Sequence, residues 1–189
     1  MWWAQLLNVI AAIHGTGVAA ATNSYESIAT VLVGSGGSSQ INFTSIPSTF
    51  KHLQIRAIAR NTSTVADANY RFNSDSGSNY AWHLLVGNGS SASAFAFTGQ
   101  TSIRGAGFND NATSVFGGGV TDILDYTNTN KNTTVRTLTG MDNNTSTYSQ
   151  IQFYSGLWLN TAAITTITIT PSAGSFAQYS QFALYGIKG

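Results

Sequence analysis

Two patterns of apolar and polar positions divide the chain. In residues 1–22, Trp3, Leu6, Ile10 and Ile13 recur at spacings of three, four and three. That is one stripe of a helix, or the seam of a very short coiled coil. Trp2, Leu7 and Val9 widen the stripe, and Gly15 and Gly17 predict its end. A helix this short is marginal alone, because nucleation is costly and little propagation follows. The segment therefore calls for a partner surface: copies of itself, its own body, or a socket in another protein. The expected anchoring or oligomerisation residues are Trp2, Trp3, Leu6, Leu7, Ile10 and Ile13.

From residue 23 onward the period changes to two. His52 to Arg60 alternates Leu53, Ile55, Ala57 and Ala59 with Gln54, Arg56, Ile58 and Arg60, which predicts a strand with one core-facing side. Similar short runs recur from Tyr25 to Ile187. Gly-rich or Asn-rich turns separate them, as at Gly34, Gly87–Gly89, Thr127–Asn132 and Asp142. The stretch from Gln150 to Leu159 sets Ile151, Phe153, Leu157 and Leu159 on one face, and Gly117–Gly119 predicts a bulge or a close backbone approach. In the last strand both faces are apolar: Tyr179, Ala183, Tyr185 and Ile187 on one, Phe182 and Leu184 on the other. Roughly nine to eleven strands, with turn signals every 8–12 residues or so, predict an all-β, antiparallel β-sandwich of jelly-roll type. The expected organisation is an N-terminal helical segment, 1–22, joined to a β-sandwich domain, 23–189.

Composition narrows what such a body can do. Only 8 % of the 189 residues are charged and the net charge is +1, against about 25 % charged in ordinary soluble proteins. Eight basic residues are scattered through the chain rather than gathered into a stripe, which argues against nucleic-acid binding. A surface made polar by Ser, Thr, Asn and Gln, with net charge near zero, favours association and suits a chain packed in an assembly. Cysteine is absent, so disulfide frameworks, thiolate metal sites and thiol nucleophiles are excluded. The leader could also be read as a secretory signal peptide, with Ala19–Ala21 before the cleavage point. No Lys or Arg precedes Lys51, however, so the basic n-region is missing. Its apolar run stops near residue 13, short of the ~20 residues a membrane span needs, so no membrane insertion is expected.

Candidate chemistry is thin. Asp122 and Asp125 are the carboxylates closest in sequence, but a separation of three places them on opposite faces of a strand, where capping a strand end or pairing with Arg136 or Lys131 is the better reading. His14, His52 and His83 fall in no metal-ligand spacing. Asn73, Asp75, Gly77 and Asn79 resemble a calcium loop faintly, yet the Glu such a loop needs downstream is absent, and a polar turn explains them. Aromatics such as Tyr80, Trp82 and Trp158 could stack on a sugar, though large aromatics more often fill cores and interfaces. No catalytic residue, metal ligand or cofactor is expected.

Six stretches carry a resemblance: SYESIATV (Ser24 to Val31), SIPSTFKHLQIR (Ser45 to Arg56), YRFNSDSGSNYAWH (Tyr70 to His83), DILDYTNTNKNTTVR (Asp122 to Arg136), SGLWLNT (Ser155 to Thr161) and FALYGIKG (Phe182 to Gly189). Together they resemble a widespread family of small tailed-bacteriophage proteins, loosely labelled as tail, fibre or other virion proteins. The resemblance implies a non-enzymatic particle component, located at the virion surface. It also implies an attachment segment joined to a β-sandwich, often as a homotrimer, and brings no catalytic residues. The expected partners are copies of the chain, other virion proteins through residues 1–22, and a host-surface glycan if the protein serves adsorption. A lectin-like adsorption module is the alternative, and a secreted β-sandwich protein a further one.

Overall fold

The computed structural model describes residues 24–64, 66–108, 114–144 and 149–189. The predicted N-terminal helix, with Trp2, Trp3, Leu6, Leu7, Ile10 and Ile13, lies outside the described residues. Twelve strands form the described body: β1 (Tyr25–Leu32), β2 (Ile41–Phe43), β3 (His52–Ala59), β4 (Asp67–Phe72), β5 (Tyr80–Gly87), β6 (Ala92–Gln100), β7 (Ile103–Gly107), β8 (Gly117–Leu124), β9 (Thr133–Met141), β10 (Gln150–Trp158), β11 (Ile167–Pro171) and β12 (Gln181–Ile187). All pairings between them are antiparallel.

The strands form an eight-stranded sheet, β1-β12-β3-β8-β9-β10-β5-β6, and a four-stranded sheet, β2-β11-β4-β7. Eight of them pair in a nested way: β1 with β12, β2 with β11, β3 with β8, β4 with β7. Each successive pair lies in the other sheet, as if one long hairpin had been rolled up. Two further hairpins, β5-β6 and β9-β10, are inserted between β4 and β7 and between β8 and β11. They extend the large sheet past β8, so the small sheet faces only part of it.

The core lies between the sheets. From the small sheet come Ile41, Phe43, Tyr70, Phe72, Ile167 and Ile169; facing them are Leu53, Ile55, Ile123, Val135, Phe182 and Leu184. The period-two reading of β3 therefore picks the correct inward face. On β12, Phe182 and Leu184 point inward, which settles the face the sequence leaves open. Gly117–Gly119 forms no bulge: its register runs unbroken against Ala59, Ile58 and Ala57 of β3. A close approach explains two of the three, since a Cβ on Gly117 would meet Phe108 at 3.2 Å and one on Gly119 would meet Ala106 at 3.3 Å. The twelve strands are one more than the upper end of the expected nine to eleven.

In β10 the structure adds the direction of the face. Its apolar residues do share a face as predicted, but that face points away from the core. Ile151 and Phe153 are exposed, whereas Gln152, Tyr154 and Trp158 are buried.

Candidate functional site

The outward face of the large sheet is built from ladders of directly opposed residues, which in an antiparallel sheet share a face. One ladder runs Arg56, Val120, Leu138, Phe153, Leu85, Ala94 across β3, β8, β9, β10, β5 and β6. The next runs Leu32, Gln181, Ile58, Gly118, Gly140, Ile151, Gly87. Ile58, Leu85, Val120, Leu138, Ile151 and Phe153 are each between 38 % and 60 % exposed. The first ladder stands as an apolar ridge; the second, lacking side chains at Gly118, Gly140 and Gly87, sinks into a furrow. That furrow opens into a trough of about 1360 Å³ bounded by Ile58, Ile151, Met141 and the loops at Asn88 and Asn144.

A third ladder, Tyr185, Gln54, Asp122, Arg136, Ser155, His83, is polar. Gln54 links it to the ridge: its Nε2 donates to Asp122 Oδ1 at 2.8 Å and its Oε1 accepts from Arg56 Nε at 2.9 Å. Arg56 also lies 5.7 Å from the Tyr25 ring and 5.5 Å from the Tyr185 ring. The guanidinium is thus held against the sheet by hydrogen bonding and cation–π attraction. The sheet's outward surface is apolar over the inserted hairpins and polar along one margin.

The three aromatics singled out for glycan contact do not reach this surface. Tyr80, Trp82 and Trp158 are buried on the inward face of β5 and β10. The alternation that exposes Leu85 and Phe153 forces them toward the small sheet. The Trp158 ring lies 5.6 Å from Phe72 and 6.3 Å from Tyr80. Its Nε1 donates to Asp75 Oδ2 at 2.8 Å. Trp82 is covered by Phe97, 4.1 Å between ring centroids, and by the Arg104 guanidinium 5.4 Å from its centroid. His83 points the opposite way from Trp82 and is exposed, so the two line no common pocket.

The loop after β4 is a polar turn. Asp75 Oδ1 accepts from Gly77 N at 2.9 Å, and Asn79 Nδ2 bonds both carboxylate oxygens. These donors, Trp158 foremost, hold the Asp75 carboxyl below its ordinary range. Asn73 Oδ1 is taken by the amides of Thr165 and Thr166. Among the described residues no group of three or more His, Asp or Glu could hold a metal ion.

Other acids among the described residues are also engaged. Asp125 bonds Lys131 and sits 2.8 Å from Lys51 Nζ, and these two lysines lower its pKa to about 2. Asp122 accepts from Gln54 and lies opposite Arg136 in the register. Asp67 stands at the rim of the core, 3.3 Å from Arg104 Nε and 3.5 Å from the Tyr154 hydroxyl; burial raises its pKa despite Arg104. Deeper between the sheets, Thr121 Oγ1 bonds the Tyr70 hydroxyl at 3.2 Å and Thr137 Oγ1 at 2.9 Å, while Gln152 Oε1 accepts from Gly107 N at 3.0 Å. Such bonds satisfy polar groups that burial would otherwise penalise. They join Thr, Tyr and Gln side chains of modest reactivity.

The ridge and furrow were not singled out from the sequence, although Ile151 and Phe153 on one face of β10 were the available signal. No family model, curated protein or solved structure matches this chain.

Proposed function

We propose that the chain is a non-enzymatic structural component of a bacteriophage virion: a small fibre or decoration module, held on the particle by residues 1–22 and acting as a homo-oligomer at the virion surface. We further read the fold as a jelly roll, the eight-stranded, double-sheet architecture used by viral capsid and lectin domains. The nested pairing of β1/β12, β2/β11, β3/β8 and β4/β7 supports that reading.

The observation that carries the functional reading is the apolar outward face. Six large apolar side chains half in water forgo about 1 kcal/mol of burial each, and contiguous patches of this kind mark interaction surfaces. A chain with 8 % charged residues gains little protection from charge repulsion, so this face fits a position against other polypeptide. The resemblance of the body to small phage proteins supplies the setting. A lectin-like role would have to use residues other than Tyr80, Trp82 and Trp158, whose faces are covered.

The test is incorporation. Particles assembled with the Leu138→Asp, Phe153→Asp double variant should lack the protein, although the purified variant folds. Deleting residues 1–22 should have the same effect. Normal incorporation of both variants, or absence of the wild-type chain from purified particles, would overturn the proposal.

A further inference from the structure

Among the described residues β6 ends the large sheet, and no described strand pairs with its free side. Such edges invite pairing with another strand, and proteins normally blunt them with charge, proline, a bulge or brevity. The opposite edge is treated in this way: β1 breaks register between Ser27 and Ala29, and Glu26 pairs with Lys188 at 3.0 Å. β6 reads ASAFAFTGQ, with neither charge nor proline in its 9 residues, and Ala92–Gly99 are all exposed. Its irregularity is confined to one end, opposite Tyr80–Trp82, with Gly99 at φ +62°. No formally charged residue occurs from Ser76 to Ile103.

Both faces of the strand are open as well. Phe95 and Phe97 lie opposite Leu84 and Trp82, on the side that would face the small sheet if that sheet extended this far; they are 48 % and 39 % exposed. Ala94 and Ala96 occupy the outward side, in line with Leu85 and His83.

We infer that β6 pairs antiparallel with β6 of a second copy, joining two large sheets edge to edge. The argument for this occupant is complementarity. A two-fold axis sets each strand against itself reversed, so any charge on the strand would approach its own kind; β6 carries none. A reversed copy centred on Phe95 or Ala96 brings phenylalanine near phenylalanine on one face and alanine near alanine or threonine on the other. Aromatic cross-strand pairs stabilise such a ladder, and main-chain hydrogen bonds supply affinity as in other strand additions. Nine residues offer an edge of about 30 Å. The pairing does not depend on a virion role. It also differs from a three-fold arrangement through the leader, which would need another surface.

The experiment is sedimentation equilibrium on the full-length chain with paired charge variants at exposed, outward positions. The wild type should be a species of even copy number. Ala94→Lys with Ala96→Lys, and separately Ala94→Glu with Ala96→Glu, should each halve its mass. An equimolar mixture of the two should restore it, because Lys then meets Glu in either register. Ser27→Lys with Thr30→Lys on β1 should leave the mass unchanged. A monomeric wild type, a trimer, or a mass indifferent to both β6 pairs overturns the inference. So does a monomer whose β6 amides are already protected from exchange, which would mean another segment of the same chain covers the edge.

Discussion

The two ends of the eight-stranded sheet are made from the same kinds of residue and treated in opposite ways. At the β12-β3-β8 end, one face is closed by the small sheet: Leu53, Ile55, Ile123, Phe182 and Leu184 are all buried. At the β5-β6 end the covering sheet has run out. Phe95 and Phe97 alternate there as regularly as any core residue, yet both are exposed. An alternating apolar pattern therefore marks a face that wants a partner, and the partner need not belong to the same domain. The covered end has found its partner in the small sheet. The β6 end is left to find one by association.

Equal chemistry in unequal surroundings gives the largest predicted contrast. Phe182 is fully buried and makes edge contacts with Phe108 at 6.2 Å and Phe176 at 4.8 Å. Phe182→Ala should cost about 3–5 kcal/mol, the usual range for emptying an aromatic core site. Phe95→Ala, in a monomeric background such as the Lys variant of β6, should cost under ~1 kcal/mol, as surface changes do. Urea unfolding of both measures the difference. Equal costs would mean that β6 is covered within the single chain, and the contrast between the ends would fall.

Next in size is a steric test of the covered end. A Cβ on Gly186 would lie 2.3 Å from the Phe50 ring. Gly186→Ala should therefore destabilise by about 1–3 kcal/mol through overpacking. Gly118→Ala, on the outward face where nothing lies within 4 Å of the added carbon, should be close to neutral. Thermal melting of the two variants compares a face already occupied with one that is not.

Much of this was legible in the sequence, and what was not has two causes. The period-two pattern of β3 identifies both the strand and its inward residues, because polar Gln54 and Arg56 mark the other face. In β10 each face carries large apolar or aromatic side chains, so alternation shows a strand without showing which way it points. Tyr80, Trp82 and Trp158 fill the core, as large aromatics more often do, and Leu85 and Phe153 take the outward face. The ridge was hidden for a second reason. Its residues come from the consecutive strands β8, β9 and β10 and from the earlier β5, and only register and strand order bring Val120, Leu138, Phe153 and Leu85 into one line.

The smallest predicted effect concerns pH and separates the two ends by charge. Asp125, at the end of β8, is held to a pKa of about 2 by its bonds to Lys131 and Lys51, below the ordinary 3.8. A carboxylate depressed in the folded state contributes stability above its unfolded pKa, and that contribution is lost as pH falls through the folded value. The window here is about pH 4 down to about pH 2. Both lysines are more than half exposed, so solvent screening keeps the effect small. Asp125→Asn should remove the part of the acid destabilisation that falls in this window, seen as a flatter dependence of the urea midpoint on pH. The segment from Ser76 to Ile103 has no carboxylate, and its amide exchange in the monomeric Lys variant of β6, corrected for intrinsic rates, should show no transition of its own over the same range. A separate transition in β6 would tie that strand to an acid elsewhere in the chain and place it with the covered end.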